Sequence, residues 1–118
     1  MSGFGHYDQT AQALEREIRR YARVINLDWD DTARLRTLAR EALSCSPACR
    51  IGLLRHPDLM ERSKGEFFAL SELMLVTMRQ SAQIGVHTRG GPAWKAFGRA
   101  LYEEAENLPA RAAAPSLP

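Results

Sequence analysis

The chain has 118 residues, 45% of them hydrophobic and 25% charged, and a net charge of +2. That length fits one domain, able to bury about 65% of its unfolded surface without a disulfide or a metal to hold it. Residues 1–60 carry nine basic and eight acidic groups and residues 61–118 seven and six, so the sequence has neither the basic arm of a nucleic-acid binder nor an acidic tail.

Residues 1–7 contain glycine and read as a flexible N-terminus. A first helix is expected from Asp8 or Thr10, both good caps, to about Ile25. Leu14, Ile18, Tyr21 and Ile25 form its apolar stripe. Glu15 falls on the charged face, one turn before Arg19, and the pair suits an i,i+4 contact. Asn26 is placed to end the helix in a left-handed conformation. Asp28 then reads as the cap of a second helix, with Asp30 and Asp31 in its first turn and Leu35, Leu38, Ala39, Ala42 and Leu43 inward. The short link makes the two helices a hairpin.

Ser46 and Pro47 can open a short third helix that stops before His56-Pro57. The central helix is expected over residues 66–84, closed by Gly85, with Lys64-Gly65 as a break or weak point before it. Its apolar residues run almost all the way round the wheel, the pattern of a helix enclosed on every side. A last helix follows from Ala93 to Asn107, its stripe formed by Trp94, Phe97, Leu101, Ala105 and Leu108. Residues 109–118 are alanine- and proline-rich and read as a disordered tail. The expected fold is therefore an all-α bundle of four to five helices, a single domain over residues 8–108.

No run reaches the ~18 apolar residues of a membrane span. The N-terminus lacks a basic segment followed by an apolar core, so a cytoplasmic location is expected, with the two cysteines reduced. Cys45 and Cys49 stand i,i+4, with His56 seven residues on. Two thiols with Pro47 between them make a poor zinc pattern, even with His6 or His87 as a further ligand. Small apolar fillers at a helix junction is the plainer reading, and a thiol switch is an alternative. Asp28, Asp30 and Asp31 suit helix capping better than a cation.

Arg89, Gly90 and Gly91 precede a helix N-terminus, where amides and dipole favour an anion, although a plain interhelical connection that uses glycine to turn is the favoured reading. Arg34, Arg36 and Arg40 could line a recognition helix, but the aspartates before them would repel phosphate. No histidine is paired with a nucleophile, and no enzyme is indicated. The sequence thus points to a non-catalytic interaction or regulatory protein without metal or cofactor. It is expected to self-associate as a homodimer, or to bind another protein, through Phe68, Leu75 and Val76 on the outer side of the central helix. The alternatives are a sensor of small anions or thiols, using the Gly90-Gly91 loop or Cys45 and Cys49, and a DNA-binding regulator using the second helix.

Overall fold

The computed structural model describes residues 3–85 and 90–107, with side chains from Gln9 onward. Five helices account for nearly all of it: α1 (Gly3–Val24), α2 (Thr32–Ser44), α3 (Pro47–Leu54), α4 (Leu59–Gln83) and α5 (Pro92–Asn107). Among the described residues there is no strand, and no helix is long and apolar enough to cross a membrane. The fold is all-α, as the periodicity indicates. The tail from Leu108 lies outside the described residues.

α1 begins at Gly3, several residues before the caps at Asp8 and Thr10. A cap contributes only about 1 kcal/mol, too little to fix a helix start by itself. Its other end follows the sequence closely. Asn26 has φ 58°, its N–H donates to the Arg23 carbonyl, and that of Leu27 donates to the Ala22 carbonyl. This pair of bonds is a Schellman ending, and it turns the chain within a few residues. α2 starts later than expected. Asp31 is its N-cap and accepts from the Arg34 N–H, whereas Asp28 accepts from the Asp30 N–H in the turn before it.

α4 is the longest helix and packs against each of the other four. It runs unbroken through Lys64-Gly65. A Cβ at Gly65 would lie 2.9 Å from Leu53 Cβ and 3.1 Å from the Leu54 nitrogen. The glycine therefore serves close packing of α3 on α4, and the helix continues through it. α2 and α5 lie side by side. Phe67 of α4 meets Phe97 of α5 edge to face, ring centroids 4.9 Å apart, within a core that includes Ile18, Leu38, Met74 and Leu101.

The central helix requires a correction. Phe68 and Leu75, expected to face out, are 3% and 8% exposed. Val76, also expected to face out, is 43% exposed, and Leu73 is 51% exposed. The buried arc passes through small polar residues: Ser71, Thr77 and Ser81 are all enclosed. Each returns its hydroxyl to a carbonyl of its own helix, respectively that of Phe67, Leu73 and Met78. An apolar count passes over Ser71 and Ser81 and rotates the inferred inner face.

Candidate functional site

The corner between α2 and α3 carries the most chemistry. Cys45 ends α2 in an extended conformation (φ −85°, ψ 111°), its N–H donating to the Ala42 carbonyl. Ser46 caps α3 through Oγ, which accepts from the Cys49 N–H at 3.1 Å. Pro47 fills the first helical position, where its missing N–H costs nothing. Cys49 is then the third residue of α3. The two Cα atoms lie 5.3 Å apart and the sulfurs are joined in a disulfide. The expectation of two reduced filler thiols is corrected accordingly. Pro47 does stop a continuous helix, as the sequence suggests, but the new cap folds Cys49 back onto Cys45.

The two sulfur-bearing residues differ in surroundings. Cys45 is 7% exposed and belongs to the core, while Cys49 is exposed. Arg50 braces the corner: one Nη donates to the Cys45 carbonyl at 3.3 Å, and the other lies 3.0 Å from Glu72 of α4. Cys45, Arg50, Glu72, Leu75, Val76 and Arg79 border a cavity of about 190 Å³ beside the disulfide. Among the described residues no group of three or more metal-binding side chains gathers here or elsewhere. His56 Nδ1 accepts from the Asp58 N–H, away from the thiols, while the side chains of His6 and His87 lie outside the described residues.

The N-terminus of α5, a candidate anion site, is occupied by a carboxylate of the chain itself. Glu15 of α1 accepts from the Gly91 N–H at 2.6 Å and from the Trp94 N–H at 3.0 Å. It thus supplies from another helix the carboxylate that the α5 N-terminus attracts. Both donors are satisfied within the chain. A Cβ at Gly91 would lie 2.8 Å from Glu15 Oε2, so that glycine makes room for the carboxylate, and Gly90 makes room for the Trp94 side chain. Arg89 lies outside the described residues.

Arg36 and Arg40 of α2 both reach across to α5. Both donate through Nε to Glu104 of α5, at 3.0 Å each. Glu104 is 2% exposed. The hydrogen bond from Arg40, joined by that from Arg36 and by the charge of both, outweighs burial and holds its carboxyl below the ordinary range. Sequence reading missed Glu15 and Glu104, which both stand on buried stripes at helical spacing: Ala11, Glu15, Ile18 and Ala22, and Phe97, Leu101 and Glu104. An acid interrupting an apolar stripe was the available signal.

No protein-family model, no curated protein and no solved structure matches the chain.

Proposed function

We propose that this is a helical regulatory protein whose switch is the Cys45–Cys49 pair, passing between disulfide and dithiol by exchange with thiols around it. The observation that carries this reading is the asymmetry of the corner: Cys49 is exposed in the first turn of α3, and Cys45 is buried behind it. Attack on Sγ of Cys49 is open to a small thiolate. The S–S bond breaks, and Cys45 leaves as a thiolate that takes a proton from solvent. A second thiolate attacks the attached sulfur, releasing its own disulfide and the Cys49 thiolate. Two electrons pass from two small thiols to the protein pair. The positive end of the α3 dipole favours the Cys49 thiolate.

Support also comes from what braces the corner without sulfur. The Ser46 cap, the Arg50–Cys45 carbonyl bond and the Arg50–Glu72 ion pair are all made without the sulfur atoms. The test is trapping. Reduced Cys45→Ser should accumulate a mixed disulfide at Cys49 with glutathione disulfide. Reduced Cys49→Ser should react at least ten-fold more slowly, and wild type should close its own disulfide. Circular dichroism checks that all three fold. Equal rates in the two variants, or a wild-type disulfide that native incubation with dithiothreitol leaves intact, would overturn the reading.

Self-association through α4 keeps support of its own, from different residues. Leu73 and Val76 stand one turn apart on the solvent side of that helix, and Ile84, 55% exposed, is its C-cap residue. This reading replaces Phe68 and Leu75 by Leu73 and Ile84 and retains Val76.

A further inference from the structure

A second cavity, of about 350 Å³, lies between α2 and α5, away from the cysteines. Its size falls within the ~300–1,000 Å³ of small-molecule sites. The side chains that shape it fall into two kinds. Leu35, Ala96 and Ala100 line it with apolar atoms, and Trp29, in the turn before α2, adds an aromatic wall. Trp29 is partly buried: it packs against the core and also lines the cavity. Alanine at two successive turns of α5 keeps that side of the cavity low.

The rim is cationic. Lys95 and Arg99 stand one turn apart on α5, and both line the cavity. Like charges at this spacing repel, at a cost of a few tenths of a kcal/mol. Among the described residues neither makes an ion pair. Arg36 lines the same cavity from α2. Its Nε is committed to Glu104, which fixes the guanidinium and leaves its Nη donors for another acceptor. Glu103 is the one acid on the rim, against three cations. An aromatic wall and an apolar lining under a cationic rim are what a planar, negatively charged molecule requires.

We propose that the α2–α5 cavity binds a small planar ring carrying an anionic group, the ring against Trp29 and the anion between Lys95, Arg99 and Arg36. The ligand class is aromatic carboxylates and their sulfonate or phosphate counterparts. The site is independent of the thiol pair.

Nuclear magnetic resonance on the full chain provides the test, with 2-naphthoate as probe and uncharged 2-naphthamide and inorganic phosphate as controls. The indole N–H of Trp29 should shift saturably with 2-naphthoate, and that of buried Trp94 should move far less. 2-Naphthamide and phosphate should each bind at least ten-fold more weakly. Lys95→Gln with Arg99→Gln should weaken 2-naphthoate at least ten-fold while leaving the spectrum of the free protein otherwise intact. Should that pair of changes perturb the fold, Trp29→Ala read by calorimetry replaces it, with the same loss expected. The proposal is overturned by an unshifted Trp29 signal, by equal binding of acid and amide, or by phosphate binding as tightly as the ring compound.

Discussion

The carboxylate of Glu15 accepts hydrogen bonds from the backbone N–H groups of Gly91 and Trp94, residues far along the chain, and so caps α5 from α1. Position and charge both matter to this contact. Glu15→Gln keeps one acceptor and removes the charge at the dipole, a loss of about 0.3–2 kcal/mol. Glu15→Ala leaves both amides without their partner and should cost more, about 1–3 kcal/mol. Gly91→Ala should resemble Glu15→Ala, because its Cβ takes the space of the carboxylate. Urea denaturation of the three variants gives the order directly. Equal stabilities for wild type and Glu15→Ala would show that the cap contributes nothing.

That contact also marks how far the sequence can be read. Local signals place several helix ends, although the caps read at Asp8, Thr10 and Asp28 do not mark the starts of α1 and α2. Asn26 ends α1, Ser46 and Pro47 open α3, and Gly85 follows α4 with φ 75°. Signals that depend on a distant partner did not hold. Glu15 looked like the start of an i,i+4 pair with Arg19 because nothing near it reveals the amides of α5. Gly65 looked like a break because Leu53 and Leu54 are not its sequence neighbours in any helix. The cysteine pair was visible as a spacing, but its disulfide depends on the chain reversal at Pro47.

Glu104 makes stability depend on pH. Its carboxyl titrates below the ordinary 4.5 in the folded protein, chiefly through the hydrogen bond from Arg40. At neutral pH the group is ionised in both folded and unfolded chains, and its stabilising effect is fully present. As pH falls through the ordinary value, the unfolded chain takes up the proton first, so unfolding gains. The contribution is gone once pH has passed below the folded value. Glu104→Gln should therefore be destabilised by about 1–3 kcal/mol at pH 7, and the gap to wild type should close in acid. A gap unchanged between pH 7 and pH 3 would mean that Arg36 and Arg40 do not stabilise the charge.

Opening the disulfide should leave the fold in place. The Cys45–Cys49 link closes a loop with a sequence separation of 4. Constraining so short a loop contributes at most about 2 kcal/mol. The reduced protein should keep its far-ultraviolet dichroism, with its urea midpoint lowered by no more than that amount. Cys45→Ala with Cys49→Ala should fold likewise. Collapse of either form would make the bond a structural staple and remove the freedom that exchange requires.

The surface of α4 separates core from contact within two residues. Leu75 is 8% exposed and Leu73 51% exposed. Leu75→Lys places an unpaired charge among apolar neighbours, and a loss of about 3 kcal/mol or more is expected, seen as a strongly lowered melting temperature. Leu73→Lys alters a solvated position, and its effect on monomer stability should stay within about 0.5 kcal/mol. The two variants then divide the possible roles of the helix. Self-association through the solvent side requires that Leu73→Lys and Val76→Lys sediment as folded monomers at concentrations where wild type is a dimer. A wild type that sediments as a monomer at all concentrations would leave α4 as the core alone. Leu73 and Val76 would then be ordinary exposed apolar residues, of which any protein surface has several.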